Sequence, residues 1–160
     1  MTKAEGLRIT RGYCGIGVIN LKREINYGTL FRSALCFGAD FIFLIGKRFE
    51  KMSSDTMRSE KHLPLFQFSD SEDFLEHIPF GCRLVAVELD KRAKPLTSFV
   101  HPERACYILG AEDSSIPELI LNHSIIVQIE TSHCLNVAVA GSIVLYDRLS
   151  KSAKECPCLP

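Results

Sequence analysis

"INYGTLFRSALCFGADFIFLIG", Ile25 to Gly46, carries a helix and a buried strand separated by a glycine. Asn26 has the short polar side chain that caps a helix start, and Gly38 stands just past Cys36, where a helix needs a left-handed residue to stop. The apolar run that follows, "DFIFLIG", is short, continuous and closed by Gly46, the pattern of a strand covered on both faces. At about 100° per residue, Leu30, Phe31, Ala34, Leu35 and Phe37 gather on one side of the helix. Thr29, Arg32, Ser33 and Cys36 fall on the other. Arg32 is thus a permanent cation pointing away from its own sheet among small, weakly polar neighbours. A charge there must either reach water or face a site that needs it.

The same alternation extends in both directions. Cys14–Leu21 reads as a first buried strand, "LPLFQF" as a short one, and Asp70–His77 as a helix. "RLVAVEL" (Arg83–Leu89) and "ACYILG" (Ala105–Gly110) are further buried strands, with a short helix expected at Pro117–Leu121. "SIIVQIE" is another strand, and Leu135–Leu149 is the last helix. Strands alternating with helices predict an α/β fold: a mostly parallel sheet with helices on both faces. The last helix is apolar nearly all round until Tyr146, and its centre, Ala138 to Ser142, is small enough for another backbone to come close. Burial on every side implies a deep core or a dimer interface, and both readings stay open.

With 160 residues the chain can bury a substantial core as one domain with a short tail; the boundary falls at 152, leaving 153–160 as the tail. A composition of 46% hydrophobic and 24% charged residues is that of a soluble globular protein, and no apolar stretch is long enough for a membrane span. The first ten residues lack the apolar run of a signal peptide, so a cytoplasmic location is expected. The seven cysteines are odd in number, and Cys14, Cys36, Cys82 and Cys106 sit in apolar stretches as small hydrophobes. Cys156 and Cys158 are too few for a zinc site without Cys134 and His133, so no metal is expected. Nineteen basic residues balance nineteen acidic ones, which argues against a protein that holds nucleic acid by bulk charge alone. Local basic loops remain: Lys47, Arg48, Lys51, Arg58 and Lys61 in one, and Lys91, Arg92 and Lys94 in another. Solvated charge is the simpler reading of both.

Common catalytic signatures are missing. Gly15-Ile16-Gly17 lacks the third glycine of a dinucleotide loop and sits inside a strand, and there is no P-loop, H-E-x-x-H or G-x-S-x-G. The five histidines have no metal-ligand spacing; His133, beside the start of the last helix, is the one of interest.

Three segments, Asn26-Tyr27-Gly28-Thr29-Leu30-Phe31-Arg32, "YILGAEDSSIPELIL" and "CLNVAVAGSIVLYDRL", together resemble the SpoU (TrmH) family of RNA ribose 2′-O-methyltransferases, within the SPOUT superfamily. Asn26 to Arg32 matches N-x-G-x-x-x-R and is followed by the expected helix, glycine and strand. "YILGAEDSSIPELIL" is similar to the strand-G-x-E-x-x-G segment, and "CLNVAVAGSIVLYDRL" to the motif that opens S-[LM]-N. They come in the family's order and span nearly the whole chain. The resemblance implies a C-terminal trefoil knot, a homodimer, S-adenosyl-L-methionine bound in a bent shape by the knot loops, and an RNA substrate (tRNA or rRNA). No membrane partner is expected, since no apolar stretch is long enough to span one.

Site residues follow from the same resemblance. Gly110, after Leu109, would let backbone approach the adenosine. Ile129 and Leu135 would wall the adenine, Val87 would form another edge, and Cys134 stands where the family usually has serine. Arg32 would grip a phosphate or the ribose and stabilise a developing alkoxide, with Asn26 and Asn136 orienting groups around it. Glu112 would fix its loop or pair with a cation. Ser115 replaces the second-motif glycine, Glu130 stands where proline is common, and the segment from Ile129 to Leu135 is shorter than usual. An alternative is therefore a knotted dimer that binds S-adenosylmethionine or RNA without transferring methyl groups.

Overall fold

The computed structural model describes residues 12–20, 24–46, 61–111 and 114–154. Lys47, Arg48, Lys51, Arg58, Glu112, Cys156 and Cys158 lie outside them. The strands are β1 (Tyr13–Ile19), β2 (Phe41–Ile45), β3 (Leu65–Phe68), β4 (Arg83–Val87), β5 (Lys94–Pro95), β6 (Arg104–Leu109) and β7 (Ser124–Gln128). The helices are α1 (Glu24–Cys36), α2 (Ser71–Glu76), α3 (Glu118–Leu121) and α4 (Val137–Lys154), and Leu96–Ser98 forms a 3-10 turn. Among the described residues the strands make one seven-stranded sheet in the order β3-β2-β1-β6-β4-β7-β5. Every pairing is parallel, so the α/β expectation holds.

Because side chains alternate along a strand, each inner strand feeds two cores. Ile16, Val18, Ile42, Leu44, Val85, Tyr107, Leu109 and Val127 join the layer under α1 and α4. Phe43, Ile45, Leu84, Ala86, Cys106, Ile108 and Ile126 join Phe74 and Ile120, from α2 and α3, on the other face. This is why the strands read as continuous apolar runs rather than alternating ones. Fully burying a side chain such as Leu30 or Phe31 contributes roughly 1.5–3 kcal/mol, and both have no exposed surface. The Gly15 and Gly17 pair is explained by packing. A Cβ at either would overlap the ring of Phe41 or Phe43 on β2, so these glycines make room for aromatics.

The helix around Arg32 ends as expected. Gly38 has φ +74°, and the Ala39 amide reaches back to the Ala34 carbonyl at 2.9 Å. Its start differs from expectation. Asn26 lies inside α1 instead of capping it, because its carboxamide is buried and accepts a bond from Asn136 Nδ2 at 3.1 Å. Asn136 is the residue that caps: its Oδ1 accepts the Ala138 amide at 2.9 Å, so α4 starts at Val137.

α1 and α4 run side by side. Asn26 meets Asn136, the space beside Leu30 is filled by Gly141, Ser33 meets Ser142, and Phe37 meets Tyr146. The sequence offset across these pairs stays near 110, which makes the two helices parallel and in register. Their N-terminal ends therefore point to the same end of the molecule, where the parallel strands also finish.

Candidate functional site

A cavity of about 400 Å³ opens at the carboxyl ends of β4, β6 and β7, which are neighbours in the sheet. Open α/β sheets place ligands at this end, where the strands stop and the loops diverge. Residues from three loops form it: 87–89, 109–111 with 114–115, and 128–135. Val137 and Ala140 from the first turn of α4 close it.

All six residues expected to surround a cofactor line this one cavity: Val87, Leu109, Gly110, Ile129, Cys134 and Leu135. Val87, Leu109, Ile129 and Leu135 give it apolar walls, and Gln128, Ser114, Ser115 and Thr131 supply polar groups between them. Gly110 sits at a tight point. A Cβ there would come within 3.1 Å of both Glu88 Oε2 and the Ser114 carbonyl, so any side chain would press into the cavity wall. Ser115 does not strain the loop: among the described residues the non-glycine with positive φ is Asn20, and Ser115 lies in ordinary backbone. Glu130 points outward, its Oε2 accepting the Thr97 hydroxyl at 3.1 Å.

The expected catalytic residues are placed less uniformly. Asn26 and Asn136 meet at the N-terminal ends of α1 and α4, beside the cavity-lining Val137. Arg32 is exposed on the outer face of α1, does not line the cavity of its own chain, and has no hydrogen-bond or ion-pair partner among the described residues. Glu112 lies outside the described residues. His133 is exposed and does not line the cavity; its Nδ1 meets the Ser132 hydroxyl at 3.0 Å.

Sequence reading missed Glu88. Its Oε1 accepts the Leu89 amide at 3.1 Å and its Oε2 the Ile116 amide at 3.0 Å. The available signal was a carboxylate directly after a buried parallel strand, at the end where ligands bind. The neighbouring basic loop is not free charge either. The Arg92 guanidinium is held by Asp90 at 2.8 Å and Glu118 at 3.1 Å, and holds the Asp90 carboxyl at a pKa of about 2. This half-exposed cluster ties the loop after β4 to α3. Among the described residues no three His, Cys, Asp or Glu side chains are grouped to hold a metal ion, and no helix is long and apolar enough to cross a membrane.

Solved structures share this fold. An rRNA methyltransferase from Sinorhizobium meliloti superposes with a TM-score of 0.78 at 22% identity, over 88% of this chain and 57% of that one. An AdoMet-bound rRNA methyltransferase from the same organism gives the same TM-score, 0.78, at 22% identity. The A. aeolicus TrmH/SpoU tRNA modifying enzyme gives a TM-score of 0.78 at 20% identity, over 96% of this chain and 84% of that one. A structure described by the 2-OH methylation of C/U34 on tRNA gives 0.76 at 20% identity, over 91% and 99%. The chain thus spans little more than half the length of the Sinorhizobium enzyme. No curated protein sequence matches it. The model of the SpoU rRNA Methylase family matches residues 15–146, most of the chain and all of the sheet except the first two residues of β1. With that match over the strands, the cavity loops and the α1–α4 pair, the chain belongs to the SpoU rRNA methylase family.

Proposed function

We propose that the chain is an S-adenosylmethionine-dependent RNA methyltransferase acting on a ribose 2′-hydroxyl of tRNA or rRNA, and that it works as a cytoplasmic homodimer. The observation that carries this reading is the convergence of Val87, Leu109, Gly110, Ile129, Cys134 and Leu135 on one cavity at the carboxyl edge of the sheet. A volume of about 400 Å³ suits a small organic ligand. The apolar walls fit an adenine ring, and Gly110, without a side chain, lets the cavity wall come close to the backbone there. The knot implied by the family resemblance accords with a cavity built from three loops that belong to different crossovers.

When bound, S-adenosylmethionine supplies a methyl group already activated on a sulfonium. The protein has to align the ribose oxygen behind that carbon and stabilise the charge that grows on it as its proton leaves. Arg32 suits the second of these roles, because it is an exposed guanidinium with no described partner, able to take a phosphate or alkoxide oxygen through its fork of donors. Arg32 is assigned the role of a clamp on the phosphate or ribose, with the hydroxyl proton passing to a substrate phosphate or to solvent. Since Arg32 does not line the cavity of its own chain, the dimer is what brings a guanidinium to each cavity. Asn26 and Asn136 hold the helix starts around the cavity mouth.

Calorimetry with S-adenosylmethionine and a tritium-methyl assay on bulk RNA, followed by nucleoside analysis, test this. The expected result is binding, transfer, and label recovered on a 2′-O-methyl nucleoside. Label on a base would move the assignment to base methylation, and binding without transfer to any RNA would make the chain a binding protein. Arg32→Ala should lose at least about a hundredfold in transfer, the scale of one removed charge-stabilising group, with cofactor affinity nearly unchanged. Wild-type turnover in that variant removes Arg32 from the mechanism.

A further inference from the structure

We propose that Glu88 is the positioning residue of the cavity: its carboxylate clamps Ile116, beyond the end of β6, to the end of β4 and so sets the wall against which the cofactor lies. The inference rests on reading the cavity as an S-adenosylmethionine site.

The geometry is specific. Glu88 directly follows Val87, the last residue of β4, and its own amide is fixed to the Val127 carbonyl of β7 at 3.0 Å. From this anchored position the side chain reaches Gly110, at the end of β6, and Ile116 beyond it. Oε2 accepts the Ile116 amide at 3.0 Å and lies 3.1 Å from where a Gly110 Cβ would be. Oε1 accepts the Leu89 amide at 3.1 Å. One carboxylate thus joins two of the loops that line the cavity, and Ile116, buried among the α2–α3 core, is the point where the second loop is pinned. The loop has few other ties among the described residues: an Ala111–Ser114 bridge and the turn into α3.

Both acceptors are needed. Two backbone N–H groups point at two different oxygens, so glutamine, with one oxygen and one NH₂, satisfies one amide and opposes the other. Alanine satisfies neither. This chemistry separates a clamp from a residue that merely fills space, because glutamine is isosteric with glutamate. It also explains how a chain with Ser115 in place of a loop glycine keeps its loop in place. The tie comes from the preceding strand, not from a special backbone conformation at that position.

Two readouts on the purified full chain test the clamp. Amide exchange followed by NMR should show the Ile116 amide exchanging about tenfold faster or more in Glu88→Ala, the scale of one lost hydrogen bond to a charged group, while Val127 in β7 is unchanged. Calorimetry should show S-adenosylmethionine and S-adenosylhomocysteine weakened together by about the same factor. Glu88→Gln, which carries the comparison should the alanine variant fail to fold, should lose affinity for both ligands in the same ratio. Unchanged Ile116 exchange in the variants overturns the proposal. So does selective loss of S-adenosylmethionine over S-adenosylhomocysteine, whose sulfur is a neutral thioether, which would mean that the carboxylate acts directly on the sulfonium. Should the wild type bind neither ligand while Ile116 exchange still rises in the variants, the clamp stands and the functional reading falls.

Discussion

At the scale of single residues, the α1–α4 contact depends on an atom that is missing. Gly141 faces Leu30, and a Cβ at that position would sit 2.4 Å from Leu30 Cδ1, 3.3 Å from Ile16 Cδ1 and 3.6 Å from Leu109 Cδ1. Leu30 and Ile16 are fully buried, and Leu109 nearly so, leaving no empty side to move into. Helix propensity favours alanine over glycine by about 1 kcal/mol, whereas overpacking costs about 1–3 kcal/mol, so crowding wins. Gly141→Ala should lower the urea midpoint, and Leu30→Val in the same chain should recover part of the loss; a stabilised single variant would show that the helices can slide apart. The small run Ala138 to Ser142 announced a close approach in the sequence, but not whether the approaching group came from the same chain. Asn26 was open to misreading for a related reason. A short polar residue at a helix start suggests a cap, and only the partner helix shows that its carboxamide is used sideways, toward Asn136.

At the scale of elements, the far end of α4 is held by a buried polar cluster that no local pattern announces, because its members come from three separate segments. Arg148, buried, donates to the Pro102 and Glu103 carbonyls and to the Tyr107 hydroxyl at 3.2 Å. The tyrosine can then give its own proton to His101 Nδ1 at 2.6 Å, and His101 Nε2–H donates to Asp147 at 2.8 Å. Lys151 shares Asp147 and donates to the Leu96 and Phe99 carbonyls. The neutral imidazole completes this chain of bonds; a second ring proton would face the tyrosine's hydrogen. Burial accordingly pushes the His101 pKa below its ordinary value, against the pull of Asp147 and with Arg148 and Lys151 adding to the depression. The unfolded chain binds a proton below about pH 6.5 that the folded chain refuses. Stability from His101 is therefore full above that pH and declines as the pH falls toward the depressed folded value. His77, raised by Asp73, titrates in the opposite sense, so the comparison must be made against His101→Gln. Urea midpoints at pH 7.5 and 5.5 should fall further in the wild type than in the variant; equal slopes would mean that His101 carries its proton in the fold. Most elements, by contrast, were legible. The strands of the sheet interior are continuous apolar runs because both faces are covered, and α2 announces itself with Asp70, which accepts the Asp73 amide at 2.9 Å. The two-residue β5 was not, since a pair such as Lys94-Pro95 leaves no periodicity to read.

At the scale of the whole molecule, the cavity was legible where family-like motifs supplied backbone-level constraints, and Glu88 was missed because its partner Ile116 lies 28 residues away in the chain. The surface carries the remaining question. α4 is not buried all round within its own chain: Val139 is 45% and Tyr146 60% exposed, with Leu135 and Ile25 also open at the N-terminal end of the helix pair. Val139, Ile143 and Tyr146 recur at helical spacing and form a stripe that a lone folded chain has no reason to leave uncovered. One side of α4, with Val137, Ala138, Val144 and Leu145, is core, and the open stripe on the other side is what the proposed second copy would cover. Val139→Arg places a charge in the middle of that stripe without touching the core or the cavity lining. Sedimentation equilibrium should find a dimer for the wild type and a monomer for the variant, with matching far-ultraviolet circular dichroism. The cavity is built from one chain, so the monomer should still bind S-adenosylmethionine within a few-fold of the wild type. Methyl transfer should be lost, because Arg32 does not line the cavity of the chain that carries it. A monomeric variant that still transfers methyl groups would return Arg32 to its own cavity, and a monomeric wild type would leave the stripe without an occupant and the mechanism without its second half.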